Sequence, residues 1–256
     1  KEADMLSRLR DKKISLIGNT QGCCVLPIKM RKGDSMSNIN HDYIQNYINS
    51  LLPKNQGILE ELEKYAEENH VPIITTDVAS LLSILIKSAN AKNILEIGTA
   101  IGYSSILMGN AMGENFKITT LEKKEDLSEL ARENIKKSGY EKNITVISGD
   151  ASEILESLEG IYDIIFVDAA KGQYMDFLKL SFDKLKVGGL FICDNVLFRG
   201  MVAERSLLIR RKITIVKRLK KFLSFISDNE ALQTVVIPIG DGVSISIKQK
   251  EAIIDD

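Results

Sequence analysis

Short apolar runs alternate with amphipathic segments along most of the chain, and this alternation limits the possible folds more than any other feature of the sequence. Runs of strand length occupy residues 93–98, 117–122, 143–150, 162–168 and 188–195, and a helical pattern follows each of them. Consecutive strand–helix units of this kind predict an α/β fold with a parallel, doubly wound sheet. The final TVVIPIG, DG and VSISI predict two strands around a tight turn. An antiparallel hairpin would then complete a Rossmann-like sheet of seven strands.

Helical periodicity predicts the remaining elements. Two amphipathic helices are expected before the first strand, at residues 57–69 and 77–88, and Thr76 or Asp77 is the predicted N-cap of the second. A long basic helix is predicted from about Arg205 to Ile226. Ligands of doubly wound sheets bind beyond the carboxyl ends of the strands, so the residues after each strand are the ones to read for function.

The composition argues against several classes of function. The 256 residues carry a net charge of −1, so a polyanionic partner would need a local basic patch rather than a global field. Cys23, Cys24 and Cys193 form neither a disulfide framework nor a zinc motif, and no apolar run is long enough to span a membrane. These features predict a cytoplasmic protein. With only His41 and His70, histidine-based triads and multi-histidine metal sites are not expected.

Residues 1–35 differ from the rest of the chain. They show no sustained hydrophobic period and carry eight Lys/Arg against four Asp/Glu. We expect a mostly disordered extension, which would be an expression remnant, an over-long reading frame or a basic arm. Residues 36–256 are expected to form one domain.

The loop after the first predicted strand, EIGTAIGYS, contains Glu96, Gly98 and Gly102. It lacks the G-x-G-x-x-G pattern that lets a dinucleotide-binding loop approach a pyrophosphate. A looser turn suits a cofactor without a pyrophosphate, such as S-adenosylmethionine (SAM). Glycines that serve only the packing of strand and helix are the alternative explanation.

Acidic residues follow the next two predicted strands. Glu122 ends the second strand, where a carboxylate can accept hydrogen bonds from both ribose hydroxyls. Asp150 ends the third strand within Gly149-Asp150-Ala151, where it could accept from an adenine amino group. Each acid has a simpler interpretation, because Glu122 could be a solvated capping residue and Asp150 an N-cap.

Asp168 ends the fourth predicted strand, and Asp194-Asn195 ends the fifth. These strands should be neighbours, so two carboxylates and an amide oxygen would converge at one place. Oxygen ligands with positions left open are typical of Mg²⁺ rather than Zn²⁺. Strand-end caps are the alternative.

Three segments, ILEIGTAIGYSS, VDAAKGQY and CDNVLFRG, together resemble the metal-dependent SAM O-methyltransferases of the caffeoyl-CoA and catechol type. The resemblance extends from about residue 40 to 250. It implies a Mg²⁺-dependent transfer of a methyl group from SAM to one of two adjacent substrate oxygens. It also implies a homodimer.

The resemblance implies a role for individual residues. The implied SAM-binding residues are Ile74, Glu96, Gly98, Tyr103, Ser104, Glu122, Gly149, Asp150, Ala151 and Asp168. The implied metal ligands are Asp168, Asp194 and Asn195. Asp168 is also an implied catalytic residue, because it would bind the metal ion to which the substrate binds. Lys171 matches the family's general base, with an exposed lysine at the start of a helix as the alternative.

Within the family, DAAKGQY, DNVLFRGMVA and IPIGDGVSIS look most like the bacterial tRNA 5-hydroxyuridine methyltransferases, which form 5-methoxyuridine at the wobble position. Between residues 199 and 221, nine Lys/Arg meet a single acid, Glu204, which favours a polyanionic substrate such as a tRNA anticodon loop. The predicted tRNA contacts are Arg199, Arg205, Arg210, Arg211 and Lys212, with Phe198 or Tyr174 stacking on the base. A solvated helix face, or contact with the phosphates of a CoA thioester, would explain the charges as well.

Other functions remain open from the sequence. A small-molecule catechol or caffeoyl-CoA-type O-methyltransferase differs from the tRNA enzyme only in its substrate. A nucleotide-dependent oxidoreductase would use a similar sheet, but the missing third glycine and the Asp168, Asp194, Asn195 set argue against it. A binding module without catalysis is the least favoured, because the cofactor and metal positions all look intact.

Overall fold

The structure, a computed structural model, describes residues 39–254. The predictions for residues 1–35, including Cys23 and Cys24, lie outside the described residues. The helices are α1 Asp42–Leu51, α2 Ile58–Asn69, α3 Thr76–Ser88, α4 Tyr103–Met112, α5 Glu125–Lys137, α6 Ala151–Ser157, α7 Tyr174–Ser181 and α8 Ile213–Asp228. The strands are β1 Asn93–Ile97, β2 Lys117–Glu122, β3 Ile144–Ser148, β4 Tyr162–Val167, β5 Leu185–Cys193, β6 Leu232–Ile237 and β7 Val243–Lys248.

One seven-stranded sheet carries the fold, in the order β3-β2-β1-β4-β5-β7-β6. Strands β1 to β5 pair in parallel, and β7 pairs antiparallel with both β5 and β6. The predicted α/β fold with a terminal antiparallel hairpin is therefore confirmed. The strand order reverses between β1 and β4, which is where a doubly wound sheet opens a crevice for ligands.

Two apolar clusters cover the two faces of the sheet. Alternate residues of β4 supply both clusters, since Ile164 and Phe166 point to the cluster built on α3 and α4, and Ile165 and Val167 to the one built on α7 and α8. All four side chains are fully buried. A strand covered on both faces reads as a continuous apolar run, which is why IIFV shows no alternation in the sequence.

Several element boundaries differ from the predicted ones. The N-cap of α3 is Thr75 rather than Thr76 or Asp77, because Asp77 lies inside the first turn and accepts from the backbone of its own neighbour, Val78. The hairpin turn spans residues 238–242 rather than DG alone. The helix α1 was not predicted, and its side chains stay largely outside the core.

The predicted basic helix from Arg205 to Ile226 is wrong at its start. The α-helix α8 begins only at Ile213, and short 3-10 turns at Arg205–Leu207 and Arg210–Lys212 precede it. The predicted tRNA contacts in this region therefore lie on an irregular segment, which leads from the end of β5 to the start of α8.

Candidate active site

The carboxyl ends of the central strands lie side by side. Ile97, Val167 and Cys193 occupy one level across β1, β4 and β5. The ladder continues by one residue past each strand, because the backbone N–H of Asp168 donates to the carbonyl of Ile97 at 2.9 Å and that of Asp194 to Val167 at 3.0 Å. The structure thus brings Asp168 and Asp194 together at the sheet edge, as their positions after neighbouring strands led us to expect.

A cavity of about 350 Å³ opens at this edge, a volume within the range of small-molecule sites. Its wall includes the predicted general base Lys171 and most of the residues predicted for the cofactor and the metal, namely Ile74, Gly98, Tyr103, Ser104, Glu122, Asp150, Ala151, Asp168, Asp194 and Asn195. Thr75, Lys123 and Phe177 also line it and were not singled out in the sequence, where nothing separates them from ordinary helix and loop residues.

Gly98 allows β1 and β4 to approach each other where the cavity begins. Its φ is +108°, and an added Cβ would overlap the carbonyl oxygen of Asp168 and lie 2.8 Å from the carbonyl carbon of that residue. Gly98 is therefore required by the close approach of two backbones, one of which carries Asp168.

Glu122 orders the loop on which a cofactor would lie. One oxygen of its carboxylate accepts from the backbone N–H of Ala100 and the other from that of Lys124, each at 2.9 Å. The carboxylate is half-buried at the cavity wall. Each oxygen keeps further acceptor capacity for a ribose hydroxyl.

Asp150 has its predicted N-cap role, and it also lies in the wall of the cavity. Its side chain caps α6 by accepting from the backbone N–H of Ser152 at 2.9 Å, and it pairs with Lys123 at 2.8 Å. These hydrogen bonds hold the pKa of Asp150 below its ordinary value. Capping therefore fixes an anionic group at the cavity wall.

Glu96 lies behind the cavity wall instead of in it. Its carboxyl is fully buried and accepts from the hydroxyls of Ser105 and Thr120, while Oε1 has no hydrogen-bond partner. Burial raises the pKa of Glu96 to about 7, against the lowering effect of these hydroxyls. Gly149 likewise does not line the cavity, although its N–H extends the ladder by donating to Glu122.

Tyr103 reaches the cavity with its ring but uses its hydroxyl elsewhere. The hydroxyl donates to Glu63 at 2.7 Å and accepts from Asn55 at 3.1 Å. Burial, followed by the bond to Glu63, raises the pKa of Tyr103 above its ordinary value. The residue thereby ties α2 to the start of α4 at the cavity mouth.

Two acids, an amide and a lysine form the polar end of the cavity. Burial is the main cause that raises the pKa of both Asp168 and Asp194, and the charge of Asp168 raises that of Asp194 further. Asn195 adopts a left-handed backbone with φ of 55°, and its Oδ1 accepts from Lys171 Nζ at 2.6 Å.

The donor set fits a hard divalent cation. Two buried carboxylates that repel each other are stabilised by a positive ion between them, and an amide oxygen is a suitable third ligand. Across residues 39–254, no group of three or more His, Cys, Asp and Glu side chains has metal-binding spacing. A cation at Asp168 and Asp194 would therefore depend on Asn195 and on ligands from outside the protein.

Asp241, in the hairpin turn, does not line the cavity, but its charge raises the pKa of Asp194, and this role was missed in the sequence. Its side chain accepts from the backbone N–H of Arg199, and its carbonyl accepts from Leu197 at 3.0 Å. Burial raises its pKa, and the charge of Lys171 opposes that rise. The PIGDG segment was the available signal, but its pattern indicated only a turn.

The predicted tRNA contacts do not line the cavity. Arg199, Arg205, Arg210 and Arg211 are exposed on the segment after β5, and Lys212 lies over the ring of Phe198, 5.7 Å from its centroid.

The prediction that Tyr174 could stack on a substrate base is wrong. The side chain is buried, its hydroxyl donates to the carbonyl of Asp194 at 2.8 Å, and its ring packs edge-on against Phe222. Tyr174 therefore supports the backbone of a proposed metal ligand.

Within residues 39–254, no helix is long and apolar enough to cross a membrane.

Comparison with known proteins places this arrangement in a family. The sequence profile of the O-methyltransferase family matches residues 50–249. The caffeoyl-CoA O-methyltransferase of Medicago sativa is 32% identical over 222 residues, which cover 81% of this chain and 89% of that protein. The caffeoyl-CoA O-methyltransferase 2 of Petunia hybrida is 33% identical over the same length, covering 81% and 90%.

Solved structures agree with the sequence relatives. A Staphylococcus aureus protein, provisionally described as a caffeoyl-CoA O-methyltransferase, is 35% identical with a TM-score of 0.76, covering 81% of this chain and 100% of that one. The Podospora anserina methyltransferase PaMTH1, solved with SAH bound, is 26% identical with a TM-score of 0.74, covering 82% and 95%. The chain therefore belongs to the O-methyltransferase family, as a SAM-dependent enzyme of the caffeoyl-CoA O-methyltransferase type.

Proposed function

We propose that this enzyme is Mg²⁺-dependent and methylates one of two adjacent oxygens on its substrate. The observation that carries this proposal is the meeting of Asp168, Asp194 and Asn195 at the wall of the cavity. SAM supplies the methyl group as an electrophilic sulfonium substituent. A Mg²⁺ ion held by these three residues would supply Lewis-acid stabilisation of a substrate oxyanion.

The chain's own residues would bind, orient and accept the proton. Glu122 would hold the ribose of SAM, and Asp150 and Ala151 would frame its adenine. Lys171 Nζ, which lies 2.6 Å from Asn195 Oδ1, would take the proton of the attacking hydroxyl as the neutral amine. Holding both partners in line lowers the barrier, by on the order of 7 kcal/mol or more in the best intramolecular cases.

The relatives favour a small catechol-type molecule or its CoA thioester as the acceptor. The plant relatives bear the name caffeoyl-CoA O-methyltransferase, and a caffeoyl group is a catechol with two adjacent oxygens. The oxidoreductase alternative is not carried forward, because the chain belongs to the O-methyltransferase family.

A second acceptor, 5-hydroxyuridine at the tRNA wobble position, is favoured by one observation. Arg199, Arg205, Arg210 and Arg211 are exposed on the segment that follows the proposed metal ligands at the end of β5, and clustered cations suit a phosphate backbone. The 5-hydroxyl and 4-carbonyl of 5-hydroxyuridine are adjacent oxygens, as in a catechol. An anticodon loop presents its bases unpaired, so extruding the wobble base costs little. The cytoplasm, where tRNA is modified, is the proposed location.

Transfer of labelled methyl from SAM to three acceptors tests these proposals. The acceptors are a catechol, caffeoyl-CoA and bulk tRNA rich in 5-hydroxyuridine, each with Mg²⁺ and with EDTA. Label that appears as 5-methoxyuridine and disappears with EDTA would support the tRNA substrate and the cation. Label on the catechol or caffeoyl-CoA alone would keep the chemistry and reject tRNA. Full transfer in EDTA would reject the metal role of Asp168 and Asp194.

A further inference from the structure

A second cavity of about 310 Å³ lies beside the first, between α8 and the turn that connects β4 to α7. The two cavities share one lining residue, Lys171. Lys171 therefore lies in the wall of both the cavity of the proposed reaction centre and the second cavity.

The polar lining of this second cavity is mainly cationic. Lys171, Arg218 and Lys221 face it, and Asp176 is the acid among its lining residues. Its floor is apolar and rigid, because Tyr174 and Phe222 are buried and pack edge-on with ring centroids 5.8 Å apart. Arg218 and Lys221 are exposed on the same helix as Phe222, so the buried floor fixes the backbone from which both cations project.

Arg218 is held in place within the cleft. One guanidinium nitrogen donates to the carbonyl of Gly172 at 3.1 Å, in the turn that begins with Lys171. A guanidinium has five N–H donors, so this bond fixes its position while other donors can reach a ligand. The bond also ties α8 to the segment that carries the proposed general base.

We propose that this cleft is a phosphate subsite, in which Arg218 and Lys221 bind a phosphate of the same substrate whose acceptor oxygen lies in the first cavity. The inference rests on the proposed function, since it needs an acceptor that carries phosphate. Arginine and lysine are the usual phosphate partners in proteins. The phosphate comes from the backbone of an RNA or from a CoA thioester, and a free catechol has none to offer.

Binding measurements on matched variants test the subsite. The double variant Arg218→Ala/Lys221→Ala removes two cations from the cleft. The control Lys217→Ala/Lys220→Ala removes the same charge from exposed positions of the same helix that do not line the cleft. The probes are a labelled single-stranded RNA heptamer, followed by fluorescence anisotropy, and coenzyme A, followed by calorimetry. Thermal unfolding and SAM binding check that each variant is folded.

The cleft variant is expected to bind its phosphate-bearing probe about tenfold more weakly than the control variant does. For RNA, the slope of log affinity against log salt should become shallower by about 0.7 for each phosphate that the protein no longer neutralises. Asp176→Asn should instead strengthen binding of the phosphate-bearing probe, because it removes the cleft's negative charge.

The outcomes separate the subsite from the proposed function. Weaker coenzyme A binding in the cleft variant, with no RNA binding by the wild type, would support the subsite and reject tRNA. If the wild type methylates tRNA but the cleft and control variants bind RNA equally well, the proposed function stands and the subsite is overturned. A wild type that binds neither probe also overturns the subsite.

Discussion

Glu96 belongs to a predicted binding motif, but its buried carboxyl affects the stability of the fold instead of contacting the cavity. The carboxyl is fully buried, and its pKa is about 7 in the folded chain against an ordinary 4.5. Below pH 4.5 the carboxyl is neutral in both states and folding carries no penalty. As pH rises towards 7 the unfolded chain ionises first, so stability falls, and above pH 7 the full penalty of about 3 kcal/mol is present.

Glu96→Gln should remove this pH dependence. Glutamine keeps an oxygen that accepts from Ser105 and Thr120 but does not ionise. We expect the unfolding free energy of the variant, relative to wild type, to rise by about 2–3 kcal/mol between pH 5 and pH 8. Urea unfolding of both proteins without SAM measures this difference. A difference that is the same at both pH values would show that the folded Glu96 carboxyl has an unshifted pKa and is already ionised at pH 5.

Lys171 is the residue whose role the site predicts most sharply. Lys171→Met keeps the length of the side chain but removes the amine that bonds to Asn195. If Lys171 accepts the proton, kcat should fall by about 10²–10⁴-fold, while calorimetric SAM binding changes little. Methyl transfer to whichever acceptor is active provides the rate. A fall of less than threefold would make Lys171 a spectator.

At the scale of elements, the site depends on how closely chain segments approach. Gly98 permits the contact between the ends of β1 and β4, and the hairpin turn around Asp241 holds the segment after β5. Gly242 belongs to the same contact, because its carbonyl accepts from Val196 at 2.9 Å and an added Cβ would lie 2.8 Å from the Cβ of Leu197. These contacts join residues far apart in sequence, so no local pattern reveals them.

Gly98→Ala should disturb both folding and the site. The variant combines a left-handed backbone with an overlap against the Asp168 carbonyl, so we expect a loss of about 2–4 kcal/mol and weaker SAM binding. Gly139→Ala is the control, because Gly139 also has a positive φ of 81° but has open space around it, and about 1 kcal/mol is expected. Chemical unfolding compares the two. Equal losses would mean that φ alone matters at Gly98.

At the scale of the whole molecule, α1 and α3 leave apolar side chains uncovered. Tyr43, Tyr47 and Leu51 recur every four residues on α1 and are each more than 60% exposed, and Ile84 on α3 is 59% exposed. Side chains aligned in this way form a face suited to a partner surface. We propose that a second copy of the chain covers this face, in line with the homodimer that the resemblance implies.

Tyr47→Asp/Leu51→Asp should then convert a dimer into a monomer. Charges in an apolar interface are costly to bury, so the mass from light scattering after size-exclusion chromatography should fall by half. Ile161→Asp is the control, because Ile161 is equally exposed but lies in the turn before β4. A wild type that is already monomeric would contradict the proposal directly.

Most residues of the candidate site could be predicted from the sequence, because parallel strands place their carboxyl ends at one edge of a sheet. That rule alone led from the strand positions to Asp168, Asp194 and Glu122, and the structure has all three at one cavity. The rule does not say whether a side chain enters the cavity or turns behind it. Glu96 turns behind the wall, and Tyr174 is buried beneath Asp194, although both were predicted as possible ligand contacts.

The sequence by itself determined the α/β class, the terminal hairpin and the acids at the strand ends, because periodicity and strand-end position are local properties of the chain. Only the tertiary structure decided which side chains enter the cavity and which turn behind its wall, where α8 begins and which cations share a cavity. Arg218 meets Gly172 across 46 residues, and Asp241 meets Arg199 across 42. Contacts at such separations depend on how the whole sheet and its helices pack, which no short stretch of sequence encodes.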